Sequence, residues 1–183
     1  MKRARLWFAA ALAAALVIGC SKADRSSPAP AATGAGAPGA KSEGPHVARR
    51  GEPLKLDDSV WTVIDAKDLG KKLDANTTYG EPKEAAGRFV QIRYKVTNTT
   101  RKAESVLDPP RVVDDKGREF TRLDLESLYV PAKVATLGIE LLPPAVEKEY
   151  ATIVDVPADA RGLKLQLRGL GLLGERRQID LGI

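Results

Sequence analysis

The 183-residue sequence predicts an all-β domain in which antiparallel strands pack as a sandwich. Its clearest strand spans 88–98, where four apolar side chains share one side of an extended chain: Val90, Ile92, Tyr94 and Val96. The other side, which includes Phe89, is otherwise polar and is predicted to be mostly exposed, because successive side chains of a strand point to opposite faces. Seven or eight strand segments joined by short turns, without a long helical pattern, predict an antiparallel sandwich rather than a parallel sheet.

The front of the chain, residues 1–19, predicts an export signal. Lys2, Arg3 and Arg5 precede an uninterrupted apolar run over 6–18. This run is shorter than the roughly 20 residues that span a bilayer, and its length is typical of a cleaved signal peptide. Without those three cations the formal net charge falls from +5 to +2, and no basic run is interleaved with aromatic residues, so we expect no nucleic-acid partner.

The apolar run ends in Val17-Ile18-Gly19-Cys20, which resembles the lipobox of bacterial lipoproteins. The resemblance implies that cleavage occurs just before Cys20 and that lipid on its sulfur holds the protein on a membrane of the bacterial cell envelope. Two or three acyl chains would make that attachment stable, since one chain binds only marginally. Ser21 stands where an aspartate would resemble the enteric inner-membrane retention signal, so the resemblance favours the periplasmic face of the outer membrane over the inner membrane.

Residues 20–52 form a predicted disordered linker. This stretch is rich in Ala, Pro, Gly and Ser and has almost no large apolar side chains with which to offset its ordering entropy. A flexible chain of about 30 residues has a reach of roughly 30 Å. The lone histidine, His46, lies in this linker, and the lone cysteine precedes it, so the predicted domain at 53–183 contains neither residue.

Within the predicted domain, Val60–Ile64 is rich in β-branched and aromatic residues and predicts a strand with Trp61 in the core. The polar stretch Lys71–Gly87 predicts a long loop. It contains Asn76 and Tyr79, which we take as candidate binding residues because loops on rigid scaffolds often carry recognition and Tyr offers contact area at low entropic cost. A solvated connecting loop is the alternative.

The second half of the domain predicts further strands. Asp114-Asp115-Lys116-Gly117 fits a type I turn closed by a left-handed glycine, within a hairpin over 112–120. Leu123–Val130 is ambiguous between a loop and one helical turn. Proline ends a strand over Glu147–Pro157. Three segments alternate with their apolar residues on one face: Leu137/Ile139/Leu141, Leu163/Leu165/Leu167 and Ile179/Leu181/Ile183.

Several of these segments resemble one family. Gly87–Asn98 is similar to the G-x-F-V-x-V-x-V-x-V-x-N strand of bacterial lipoproteins that carry a telokin-like, immunoglobulin-like domain of unknown function. Residues 114–120 are similar to that family's D-x-x-G-x-x-Y/F hairpin. Residues 141–144 with 154–157 are similar to its L-x-P-G and F-D-V-P segments, with departures at Pro144 and Val154. The resemblance covers about 55–168 and implies an immunoglobulin-like antiparallel β-sandwich, but it brings no catalytic residue.

The sequence offers little catalytic chemistry. Adjacent carboxylates such as Asp57-Asp58 point to opposite faces on a strand and, in turns, tend to cap backbone amides. The serines lack a G-x-S-x-G context and a histidine to activate them. We therefore expect a module without catalytic residues, metal or cofactor that binds or scaffolds an unknown envelope protein or ligand. The alternative is an envelope hydrolase or a metal-dependent enzyme, with calcium held by loop carboxylates: Asp108, Asp114, Asp115 and Asp124.

Overall fold

The computed structural model describes residues 47–171 and 174–183, so Cys20 and His46 lie outside the described residues. The described chain is built from short and long strands with one 3-10 helix, η1 (Glu126–Leu128). The strands are β1 (Ala48–Arg49), β2 (Leu54–Lys55), β3 (Ser59–Leu73), β4 (Lys83–Asn98), β5 (Glu104–Val106), β6 (Arg111–Val113), β7 (Glu119–Phe120), β8 (Glu140–Leu142), β9 (Glu147–Val156), β10 (Lys164–Arg168) and β11 (Arg176–Asp180). Within the described ranges, no helix is long and apolar enough to cross a membrane.

The strands form two large sheets and one ribbon. The five-stranded sheet has the order β1-β11-β10-β6-β7, the four-stranded sheet has the order β2-β3-β4-β9, and β5 pairs with β8. β1 runs parallel to β11, whereas the other strand pairs of the two sheets and the ribbon are antiparallel. Apolar residues from both sheets meet in one core, which confirms the predicted antiparallel β-sandwich.

The core between the sheets depends on the alternation of β4. Its four predicted core residues are at most 1% exposed, and each fully buried side chain of this kind contributes about 1.5–3 kcal/mol. The facing sheet contributes Leu163, Leu165, Leu167 and Ile179. An aromatic row crosses the four-stranded sheet, with ring centroids 5.9 Å apart for Trp61 and Tyr94 and 6.1 Å apart for Tyr94 and Tyr150. The predicted core position of Trp61 is therefore confirmed.

A second apolar cluster corrects the prediction for the other face of β4. Phe89 is 1% exposed and packs with Ile153, Tyr129 and Val130. The segment 121–136 crosses this part of the four-stranded sheet and covers it. Farther along the strand, Arg93 remains partly exposed and pairs with Glu149. The predicted polar face of β4 is thus partly exposed to solvent at Arg93 and buried at Phe89.

The glycine, asparagine and aspartate of the family-like motifs have structural roles. A Cβ at Gly87 would lie 2.1 Å from the carbonyl oxygen of Val156, so only glycine allows this approach between β4 and β9. The Asp155 carboxylate accepts hydrogen bonds from the backbone N–H groups of residues 86 and 87. Asn98 is fully buried, and its Nδ2 donates to the carbonyls of residues 102 and 142, which holds the β5–β8 ribbon against β4.

The predicted hairpin over 112–120 is confirmed by the antiparallel pairing of β6 and β7. Gly117 has φ of 75°, as its position in the turn requires. Asp114 caps the turn, because its Oδ1 accepts hydrogen bonds from the backbone N–H groups of Lys116 and Arg118. Burial acts to raise the pKa of Asp114, but the hydrogen bonds from Arg118 outweigh it and lower that pKa.

Two local predictions are wrong in part or in full. The loop is shorter than the predicted Lys71–Gly87: β3 continues to Leu73 and β4 begins at Lys83, so the loop is 74–82. Leu137, Ile139 and Leu141 do not share a buried face, because the first is 1% exposed whereas the other two are 79% and 59% exposed. The structure also places β1, with Ala48 in the core, within the stretch that composition assigned to the linker.

Candidate binding site

The candidate site is formed by two segments that hold each other in place, the loop 74–82 and the segment 121–130. Asn76 is their main connection. Its backbone N–H donates to the Leu128 carbonyl at 2.7 Å, and its side-chain Nδ2 donates to the carbonyls of Tyr129 at 2.6 Å and Val130 at 2.8 Å. Asn76 was predicted as a binding residue, and in the structure both hydrogens of its amide are used to join the two segments.

Further contacts fix the loop at its far side. The Tyr129 hydroxyl donates to the carbonyl of Glu81 at 2.7 Å, and the Lys83 ammonium lies 5.5 Å from the centre of the Tyr129 ring. Gly80 lies against Ala75 and Leu128, since a Cβ there would lie 2.3 Å and 3.6 Å from their Cβ atoms. The loop is therefore held at both ends by the same segment.

Two apolar side chains project from this braced surface. Tyr79, the other predicted binding residue, is 94% exposed, and Leu125 is 70% exposed. Leu125 also has φ of 56°, a left-handed conformation that is unfavourable for a residue with a branched side chain. Strain of this kind persists only where the surroundings enforce it and is enriched at functional sites.

Leu125 precedes the one buried glutamate among the described residues, Glu126, which is 4% exposed. Its Oε2 accepts hydrogen bonds from the Thr152 hydroxyl at 2.8 Å and from the backbone N–H of Ile153 at 3.0 Å. On either side along β9, backbone groups of Leu123 and Ala135 bond Ile153 and Ala151. The carboxylate thus takes the place of a carbonyl where the 121–136 segment bulges away from β9.

The second carboxylate oxygen of Glu126 is less well satisfied. Oε1 is buried without a hydrogen-bond donor among the described residues, and the nearest cation, the Arg122 guanidinium, lies 3.7 Å away. That guanidinium also donates to the Leu137 carbonyl. Burial raises the pKa of Glu126, and the hydrogen bonds from Ile153 and Thr152 and the charge of Arg122 offset only part of this effect.

A hollow of about 270 Å³ opens beside this carboxylate, and a second of about 370 Å³ adjoins it. Both are lined by residues 122–124, and the first also by Leu125, Glu126 and Gly138. Both hollows are open to solvent and shallow, with polar walls. Such a surface suits contact with a polar segment of a partner better than enclosure of a small apolar ligand, which requires a concave apolar pocket.

The described residues contain no cluster of side chains that could hold a metal ion. In residues 47–171 and 174–183, no three His, Cys, Asp or Glu side chains converge on one point. No three of the four aspartates considered for calcium therefore come together. Ser59, a serine of β3, is committed to the core, where it accepts a hydrogen bond from the Trp61 indole and donates to Asp58.

Sequence reasoning placed Asn76 and Tyr79 on a loop but missed Leu125, Glu126 and the hollow beside them. Nothing in the local pattern distinguishes Glu126 from the exposed carboxylates around it. Its burial depends on a gap in the pairing of β9, which exists only once residues distant in sequence have met. The strain at Leu125 has the same origin.

Comparison with known proteins identifies the type of fold and indicates no activity. No family model and no curated protein matches the sequence. Among solved structures, the yjhA protein from Bacillus subtilis is similar with a TM-score of 0.57 and 10% identity, over 73% of this chain and 99% of that one. A conserved hypothetical protein from Bacillus anthracis gives a TM-score of 0.52 and 13% identity, over 73% of this chain and 95% of that one. At these identities the similarity shows a shared β-sandwich fold.

Proposed function

We propose that this chain is a bacterial envelope lipoprotein whose β-sandwich acts as a non-catalytic binding module. In this proposal Cys20 carries the lipid, the linker links it to the domain, and the surface formed by loop 74–82 and segment 121–130 recognises a partner in the envelope. The telokin-like, immunoglobulin-like lipoproteins that the sequence resembles are the family we propose for it. The structural similarities support the sandwich fold in this proposal.

The exposure of Tyr79 is the observation that carries the binding proposal. The Tyr79 side chain is 94% exposed and therefore gains no stabilisation from burial. The loop that carries it is nevertheless held in place by several hydrogen bonds. Aromatic side chains on rigid supports are favoured at recognition surfaces, because little entropy is lost when they are covered. The bracing by Asn76 supplies that rigidity.

The charge distribution supports binding over hydrolysis. Catalysis by a carboxyl group requires a carboxyl that can reach substrate and a partner with a complementary role. Glu126 has a raised pKa, but its Oε2 serves the backbone of β9 and its Oε1 is closed off beside Arg122. Asp114 and Asp159, which both pair with Arg118, have lowered pKa values: Asp114 is buried in the turn that it caps, and Asp159 is a charge partner on the surface.

The anchor is tested at Cys20. Replacing Cys20 with Ala removes the sulfur that would accept the lipid, so we expect an unprocessed, heavier protein that does not incorporate a palmitate analogue in the native bacterium. Normal labelling of this variant would refute the anchor. Fractionation of the wild-type protein between inner and outer membranes then tests the expected outer-membrane location.

The binding surface is tested by incorporating a photo-crosslinking amino acid at position 79 in the native bacterium, with position 67 as the control. Lys67 lies on the outward face of β3, and its side chain is 61% exposed. We expect a defined crosslinked partner from position 79 and none from position 67. Asn76→Ala should weaken that crosslink by loosening the brace. Equal crosslinking from both positions, or turnover of an envelope substrate by the purified protein, would refute the proposal.

A further inference from the structure

A group of exposed aliphatic side chains lies away from the candidate binding site, on the β5–β8 ribbon. The ribbon pairs Ser105 with Leu141 and Val106 with Glu140. Val106 is 3% exposed and points into the core, so the alternate positions point outward. Leu107, Ile139 and Leu141 occupy these outward positions and are 40%, 79% and 59% exposed. We call these three residues the ribbon patch.

The ribbon patch is unusual for a solvated surface. Single exposed apolar residues are common on soluble proteins, but a contiguous group on one face marks an interaction surface. No described residue covers Ile139, and the ribbon is held from behind by Asn98, whose Nδ2 donates to the Leu142 carbonyl at 2.9 Å. The patch is therefore displayed on a well-anchored support.

The position of the patch relative to the start of the domain indicates what covers it. β1 runs parallel to β11, with Ala48 opposite Ile179, so Val47, the first described residue, lies toward the side of Arg176. That end of β11 is joined to β10 through the turn at 169–175. In this turn the Gly171 N–H donates to the Ser105 carbonyl of β5 at 3.0 Å. The first described residue and the ribbon thus lie toward the same end of the sandwich.

Basic side chains border the same end. Arg168 and Arg176 stand at the facing ends of β10 and β11. Arg111 lies nearby and contacts Asp108, the residue that follows Leu107, at 3.2 Å, whereas Arg168 lies 3.7 Å from the same carboxylate. Aliphatic residues beside arginines are the composition of surfaces that enter the headgroup region of anionic membranes, where each basic residue adds attraction.

We propose that the ribbon patch rests on the lipid bilayer to which the chain is anchored. This inference rests on the proposed anchor at Cys20 and adds the orientation of the domain to it. The aliphatic tips lie among the headgroups and upper acyl chains, and Arg111, which keeps its ion pairs with Asp108 and Glu119, adds attraction to anionic phosphates at the edge of the patch. Docking this end turns the 114–118 turn of the β6–β7 hairpin, at the opposite end of the five-stranded sheet, away from the membrane.

The test uses the mature full-length protein with its lipid, reconstituted into vesicles of phosphatidylcholine with and without phosphatidylglycerol. Lipidation consumes the thiol of Cys20, so a cysteine introduced elsewhere takes an environment-sensitive fluorophore specifically. Ile139→Cys places the label in the patch, and Asp115→Cys places it in the exposed turn of the β6–β7 hairpin as a matched control. Quenching by brominated lipids reports contact of each label with the bilayer.

We expect the label at 139 to be quenched and the label at 115 to remain in water, with stronger quenching on vesicles that contain phosphatidylglycerol. Leu141→Glu in the labelled protein should reduce the quenching at 139 by about tenfold without lowering the melting temperature, since Leu141 is exposed. An anchored protein with both labels in water would overturn the inference and leave the anchor intact. Shielding at 139 that appears without lipid and rises with protein concentration would assign the patch to a second copy and overturn it too. A chain that does not remain on vesicles would refute the anchor and, with it, this inference.

Discussion

Replacing Glu126 separates its role as a hydrogen-bond acceptor from its role as a charge. Glu126→Ala leaves the N–H of Ile153 and the hydroxyl of Thr152 without their acceptor in a buried position. Each buried group left unsatisfied costs about 1–3 kcal/mol, so for the two groups we expect a loss of about 2–6 kcal/mol in the free energy of unfolding. For a domain of this size that corresponds to a fall of roughly 10 °C in melting temperature.

Glu126→Gln keeps an oxygen for the same two donors and removes the charge. Because burial raises the pKa of Glu126 above 4.5, the native state binds that proton more tightly than the unfolded chain does. Wild-type stability therefore falls as pH rises from about 4.5 through the raised pKa of the folded protein, and the Gln variant lacks this loss. We expect the two proteins to be equally stable below that window and the Gln variant to be the more stable above it.

The assay is urea unfolding of wild type, both variants and Asp124→Ala, an exposed neighbouring control, between pH 4 and pH 8. The control should stay within about 0.5 kcal/mol of wild type. If Glu126→Gln costs as much as Glu126→Ala, the charge itself is required and the ion pair with Arg122 stabilises the fold. That result would refute the interpretation of Glu126 as a substitute for a backbone carbonyl.

Ile92→Ala should lower the free energy of unfolding by about 2–5 kcal/mol through lost burial and a residual cavity, whereas Arg93→Ala should cost less than about 1 kcal/mol. Equal costs in denaturant unfolding would contradict the assignment of the two faces of β4. Gly87→Ala should lower the melting temperature more than alanine at an exposed position, because its Cβ would lie 2.1 Å from a backbone oxygen of β9; an unchanged melt would show that the strands can separate there without cost. Hydrogen bonding from Lys116 lowers the pKa of Asp159 from 3.8 to about 2, so its stabilising effect is complete above the unfolded value and is lost as pH falls through that interval. Asp159→Asn should therefore flatten the acid side of the stability curve, and a curve identical to wild type would exclude a contribution from this pair.

The sequence was most informative where the side-chain pattern alone decides burial. Strict alternation in 88–98 placed Ile92 in the core, and the same pattern correctly predicted Leu165 in β10. It failed in β3 beyond Ile64, because irregular pairing around Gly70 shifts the register and interrupts the period of two. The continuation of β3 to Leu73 was therefore predicted as loop.

Other errors arise where distant segments decide the outcome. Phe89 lies on the side of β4 that its neighbours mark as polar, and only the crossing of segment 121–136 buries it. Ile139 and Leu141 alternate as a buried strand would, yet they face outward on the ribbon. The candidate site depends in the same way on the hydrogen bonds between Asn76 and residues 128–130, which no local sequence pattern predicts.

The Glu126 carboxylate, which fills the gap in the pairing along the outer edge of β9, also affects association between copies of the protein. The outer strands β1, β2 and β7 of the two sheets are each two residues long, whereas β9, the remaining outer strand, has ten residues. An open strand of that length is a template for pairing with another chain and hence for aggregation. Here the backbone of Leu123 and Ala135 and the carboxylate of Glu126 occupy the outward hydrogen-bonding groups of Ala151 and Ile153, near the middle of the strand. Copies crowded on one membrane, as the proposed anchor would place them, thus meet a β9 edge that is already bonded at Ala151 and Ile153, so a second chain could not pair along the whole strand without displacing these bonds.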